Sequence, residues 1–214
     1  MEDNIYLRSL KCLDGLYYSF EMLDYSYSDL YELCIGIKED SKKIIPALTK
    51  SWLFIDSVHR IREISQAIPG LSGKNKELKE FLKITEISEF YRNYIQHLRG
   101  ELSKKDINTF PAWGNLAWVD PKDSTISYIA ILGVQINKTG YASCVYDRIE
   151  KKWVSKVCLN IENKSYNFDP IYDACKKFKA FIIPWILSNN KVELNIKKEI
   201  SIMTVSIIQN GLGF

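Results

Sequence analysis

The residues best suited to chemistry lie in one run, Glu89-Phe90-Tyr91-Arg92-Asn93-Tyr94-Ile95-Gln96-His97. Arg92 carries a permanent cation whose planar fork can hold two phosphate oxygens at once. His97, with an unperturbed pKa of about 6.5, can exchange a proton near neutral pH. A base and a cation suit attack on a phosphodiester by its neighbouring 2′-hydroxyl. The base takes the hydroxyl proton, and the cation holds the charge that grows on the phosphate. On a helix advancing about 100° per residue, Arg92 and His97 fall roughly 140° apart and flank a polar face that holds Glu89, Asn93 and Gln96. Asn93 could orient a phosphate oxygen through its amide. The same residues also fit a solvated helix face on which Arg92 merely pairs with Glu89.

A second polar stripe consists of Asp56, His59, Arg60 and Glu63. Asp56 with Arg60, and His59 with Glu63, are favourable i,i+4 pairs, so local helix stabilisation accounts for them. In the functional version the stripe faces the Arg92 helix, and Arg60 adds positive potential. Trp113 and Trp118 lie beside Pro111 and Gly114. Exposed, either indole could stack on an RNA base. Buried, which is commoner for tryptophan, they would anchor strands against helices. Lys176, Lys177 and Lys179 read as solubilising, or as an extended track for a phosphate backbone.

Several chemistries are not expected. Cys12, Cys34, Cys144, Cys158 and Cys175 are odd in number and lack the spacing of metal ligands or a redox motif, so they read as buried free thiols. With only His59 and His97 available, zinc would need an unusual ligand set, and no metal or cofactor is expected. Gly70 and Gly73 lack the lysine and hydroxyl residue of a P-loop, and there is no GxSxG elbow.

The elements that must position these residues are mostly helical. Apolar residues from Ile5 to Ile37 recur at intervals of three and four, which predicts one long helix, or two joined near Asp24. A second helix is expected over about 47–67, started by Pro46 and ended by Pro69-Gly70. A third covers about 76–102, with a break expected near Thr85, whose side chain would cap a new start. Alternation at Ile126, Tyr128, Ala130 and Leu132 and the turn residues Asn137 to Gly140 predict a meander of about three antiparallel strands, continuing to Ile161. Asp169-Pro170 opens a fourth helix that Pro184 bends or ends, and Val192 to Ile208 adds one or two strands.

The expected class is therefore α+β, mainly α: an antiparallel four-helix bundle with a small inserted antiparallel β-meander and a C-terminal strand segment. One domain spans 1–214, with the first three helices in 4–105, the β insertion in 106–168, the fourth helix in 169–188 and the last strands in 190–214. Composition fits a globular chain, at 46% hydrophobic and 26% charged residues. The net charge of +3 conceals an acidic start and a basic body, which permits a polyanionic partner. Acidic residues open the chain where a leader would carry lysines, and Phe178 to Leu187 is shorter than the roughly 20 residues a membrane span needs. A cytoplasmic protein without membrane contact is expected.

Arg92-Asn93-Tyr94-Ile95-Gln96-His97 resembles the R-(polar)-x-x-x-H motif of the HEPN superfamily, the nucleotide-binding and RNA-cleaving bundles of prokaryotic toxin and phage-defence systems. Asparagine after the arginine is common there. The resemblance covers the helices, about 4–105 and 169–187, and leaves the strands and the tail outside it. It implies a metal-independent endoribonuclease acting in toxin–antitoxin or antiphage defence. Arg92 and His97 would be catalytic and Asn93 substrate-orienting, with Glu89, Gln96, Asp56, His59 and Arg60 lining the cleft. It further implies RNA as substrate, an antitoxin or defence-system protein as partner, and a homodimer in which two copies of the motif meet. The aromatic residues of the third helix, Tyr91 and Tyr94 among them, point to the same dimer, since they exceed what a small bundle interior holds. The alternative is a catalytically inactive HEPN-like dimerisation or regulatory subunit that binds a nucleotide or a protein partner.

Overall fold

The computed structural model describes residues 2–104, 112–132 and 141–190. Among them the fold is α+β, mainly helical with a small antiparallel sheet. Helix α1 (Glu2–Tyr27) turns Leu13, Leu16, Phe20 and Leu23 into the core, at the three- and four-residue spacing of one helical face. The chain breaks at Ser28-Asp29, a few residues beyond the expected joint at Asp24, and resumes as α2 (Leu30–Gly36). A single 3-10 turn at Ser41–Lys43 leads into α3 (Ile44–Ala67), which buries Phe54, Ile55, Val58 and Ile61. Pro46 falls in its first turn, where a missing N–H breaks no helical hydrogen bond. α1 packs more extensively against α3 than any other two elements do against each other.

The third expected helix is three pieces. α4 (Lys76–Ile84) starts where the Asn75 side chain accepts from the Leu78 N–H at 2.9 Å. α5 (Ile87–Gln96) carries the Arg92 motif, and α6 (Leu98–Ser103) follows directly. Thr85 does not cap the new start; its hydroxyl donates to the Phe81 carbonyl at 2.7 Å.

Four strands form the main sheet: β1 (Asn115–Val119), β2 (Ser127–Ile131), β5 (Val157–Ile161) and β6 (Lys164–Asn167), in the order β2-β1-β5-β6 with every pair antiparallel. β3 (Tyr146–Asp147) and β4 (Lys152–Trp153) make a separate small hairpin. A simple meander is therefore not what forms. β1 and β5 are buried at every position, and such strands need cover on both faces, so they take the sheet centre. The same burial removes the alternation by which β1 could have been read as a strand.

α7 (Phe168–Asn189) runs through Pro184 instead of ending there. The carbonyl that Pro184 leaves without a helical donor belongs to Ala180, and both residues are exposed, so water can take its place. α7 meets α4 through Phe81 and Phe178, stacked at 4.2 Å between ring centroids. The expected turn at Asn137–Gly140 and the strands expected in 190–214 fall outside the described residues, apart from Asn190 at the end of α7. No helix among the described residues is long and apolar enough to cross a membrane.

Candidate functional site

α5 is fixed to the sheet on one side and to α3 on the other. Tyr91 is fully buried, and its hydroxyl donates to the Leu159 carbonyl at 2.6 Å and lies 2.9 Å from that of Lys164. Ser88 Oγ and the Tyr166 hydroxyl share a hydrogen bond of 2.8 Å. Burial drives the Tyr91 and Tyr166 hydroxyls to far higher pKa than an ordinary tyrosine. Tyr91 and Tyr94 are both enclosed within the single chain, so the surplus of aromatic surface expected on this helix does not exist, and that argument for a dimer falls.

On its other side α5 meets the α3 stripe. Arg92 Nε lies 3.5 Å from Asp56 Oδ1, and Arg60 Nε donates to Asp56 Oδ2 at 2.6 Å. Two guanidinium groups thus share one carboxylate. Glu89 is shared similarly: Arg62 Nε donates to its Oε1 at 2.8 Å, and His59 Nδ1 stands 3.6 Å from its Oε2. The expected stripe residues Asp56, His59 and Arg60 therefore do face Arg92 and Glu89, across an open polar cleft that Asp14 and Tyr18 of α1 complete.

His97, Asn93 and Gln96 stand elsewhere. All three are exposed, and none lines that cleft among the described residues. α5 ends at Gln96, and His97, with φ −105° and ψ 20°, is the break before α6. Arg92 and His97, about 140° apart around α5, lie at opposite edges of its polar face, so the packing that brings Arg92 to α3 leaves His97 out of that cleft. The His97 N–H still donates to the Asn93 carbonyl at 3.0 Å, which keeps the break tight.

Arg62 was not among the expected site residues. It is buried, with Nη1 donating to the Leu82 carbonyl at 2.6 Å and to Thr85 Oγ1 at 2.7 Å. The signal was present: Arg62 follows Val58 by four residues and Ile55 by seven, which puts an arginine on the apolar face of α3. A buried arginine in that place needs a partner, and Glu89 is it.

His59, Glu63 and Glu89 bring one nitrogen and two carboxylate oxygens within 4.8 Å of one another, a donor set able to approach a cation. Two of the acids in this cleft are already engaged, Glu89 by Arg62 and Asp56 by Arg60 and Arg92.

The two tryptophans separate. Trp118 is buried in the core, whereas Trp113 is 48% exposed and meets Trp52 edge-on at 6.1 Å between centroids. The expected lysine track is not free: Lys176 pairs with Asp173, Lys177 with Glu80, and Lys179 with Asp24 and Glu21. All five cysteines are buried free thiols, though Cys144 and Cys158, fourteen residues apart, bring their sulfurs to 3.6 Å. No protein-family model matches the chain, and no curated protein or solved structure does.

Proposed function

We propose that this protein is a metal-independent endoribonuclease of the HEPN type, a four-helix core with an added sheet, working as a homodimer on RNA. The observation that carries the reading is the arginine pair: Arg92 and Arg60 share Asp56 at the rim of an open polar cleft, while Asn93 and His97 are exposed nearby in sequence. Arg92 and Arg60 would hold the non-bridging oxygens of the scissile phosphate. His97 would take the proton from the 2′-hydroxyl, whose oxygen attacks phosphorus as the P–O5′ bond breaks, and the departing 5′-oxygen takes a proton from water. The products are a 2′,3′-cyclic phosphate and a 5′-hydroxyl. Since His97 does not line the Arg92 cleft of its own chain, a second copy gives the exposed histidine a cleft to serve, and the dimer becomes part of the site. An antitoxin or defence-system protein is the partner that would hold such an activity in check.

That same separation of Arg92 from His97 favours a second reading, a catalytically inactive HEPN-like subunit that dimerises and binds a nucleotide or a protein partner. One experiment divides the two. RNA is incubated with chelator and wild type, Arg92→Ala, Arg92→Lys or His97→Ala, alongside thermal melting and sedimentation of each. The ribonuclease reading expects a dimer that cuts RNA in chelator, and about 100-fold or greater loss with His97→Ala. Arg92→Lys should rescue poorly, because lysine lacks the two-pronged geometry. No cleavage by wild type, or undiminished cleavage by the folded variants, overturns the reading.

A further inference from the structure

Trp113 is exposed by construction. The carbonyl of Ala112 before it accepts from the Tyr94 hydroxyl at 2.7 Å. Gly114 after it has φ +80°, and a Cβ there would stand 2.7 Å from the Asn160 carbonyl oxygen, so only glycine fits. Asn115 then opens β1, its side-chain amide donating to the Ala142 carbonyl at 2.8 Å. With the backbone held on both sides, the indole is carried at the surface in a set place. The indole does not stand alone: Ile45, Leu48 and Leu132 adjoin it and Trp52, so it belongs to an apolar surface patch.

The indole borders a pocket of about 200 Å³, walled by Trp52, Ile55, Ile95 and Trp113, with Asp56 and Arg92 at its polar end. Trp52 leans on Tyr91 at 5.9 Å and is itself half-buried. Two donors here are unspent: Trp52 Nε1 and Arg92 Nε are both buried and make no hydrogen bond, Arg92 Nε having only the long ion pair to Asp56. A flat apolar wall beside a guanidinium complements a ligand that joins a flat ring to an anion. A nucleotide is such a ligand.

We infer that the Trp52–Trp113 pocket seats an unpaired RNA base beside the phosphate held by Arg92, so that the site takes single-stranded RNA and refuses duplex. This rests on the reading of the Arg92 cleft as a phosphate site. In a duplex both faces of each base are covered by its stacked neighbours, and no face is free for an indole. A splayed base in a single strand offers its π-face whatever its identity, which predicts tolerance of sequence.

The test uses RNA carrying 2′-O-methyl groups, which lacks the attacking hydroxyl and separates binding from cleavage. Fluorescence anisotropy in chelator follows three labelled probes: a short single strand, the same strand with abasic riboses, and its duplex. Wild type is expected to favour the base-bearing single strand. Trp113→Ala should weaken that strand about ten-fold and leave the abasic strand unchanged, while Trp113→Phe retains most of the binding. Arg92→Ala should weaken both single strands. Melting temperatures check that each variant is folded. Equal loss on base-bearing and abasic strands, duplex bound as tightly as single strand, or no binding of RNA by wild type overturns the inference. Cleavage of unmodified RNA is read separately. Binding as described without cleavage removes the ribonuclease and keeps the pocket, whereas cleavage by Trp113→Ala at the wild-type rate removes the pocket and keeps the ribonuclease.

Discussion

Arg62 on α3 holds Glu89 on α5 through a 2.8 Å contact between Nε and Oε1, and the same guanidinium reaches the Leu82 carbonyl at the end of α4. One buried cation thereby sets the approach of the two helices whose polar faces make the cleft. Arg92, three residues after Glu89 on α5, inherits its position from that seam.

Arg62→Ala should destabilise the protein by about 2 kcal/mol, because it takes the donor from the Leu82 carbonyl, leaves the partly exposed Glu89 with only His59 nearby and opens a hole. Arg92→Ala should change stability by less than about 1 kcal/mol, since its only ion pair is long and partly exposed. Urea unfolding of the two variants side by side checks the contrast; equal losses would show that Arg62 is no more structural than Arg92.

Gly114→Ala should cost about 2 kcal/mol or more, combining a positive φ with a Cβ that meets the Asn160 carbonyl at 2.7 Å and the Ile161 side chain at 2.9 Å. The cost falls on β1, whose register with β5 begins one residue later. Hydrogen exchange of β1 and β5 amides should rise with the loss of global stability; protection equal to wild type would sink the claim.

Tyr91→Phe should destabilise by about 1–2 kcal/mol, through loss of a buried donor to the Leu159 carbonyl with little change of shape. The same variant should loosen α5 against the sheet without altering α3. A thermal midpoint unchanged from wild type would mean that the hydroxyl contributes nothing there.

Burial, followed by the charges of Glu101 and Glu162, pushes the Tyr94 hydroxyl up to about 12, and burial with the Asp24 contact does the same for Tyr172. An unfolded tyrosine titrates near 10. The fold favours the protonated phenol, so this contribution is fully present below about pH 10 and is lost as pH rises through about 12. Urea midpoints should therefore fall across that window, and Tyr94→Phe should flatten the fall. Midpoints independent of alkaline pH would contradict the assigned burial.

Most of the helical framework was legible in the sequence, since Leu13, Leu16, Phe20 and Leu23 or Ile55, Val58 and Ile61 mark one face each and bury it. β1 was not, because a strand covered on both faces shows no alternation. The break at His97 was also hidden: Leu98 continues the apolar spacing of α5 although the helix does not continue.

By itself the sequence determined which residues of each helix are apolar and which are polar, including both stripes that could do chemistry. Only the tertiary structure decided that Arg92 meets Asp56 and Arg60 and not His97, that Arg62 sits at the seam, and that Trp113 is outside while Trp118 is inside. Periodicity belongs to a single element and follows from its own backbone geometry. Pairing between elements depends on the register and angle at which they pack, and on turns such as Gly114 that close approaches enforce.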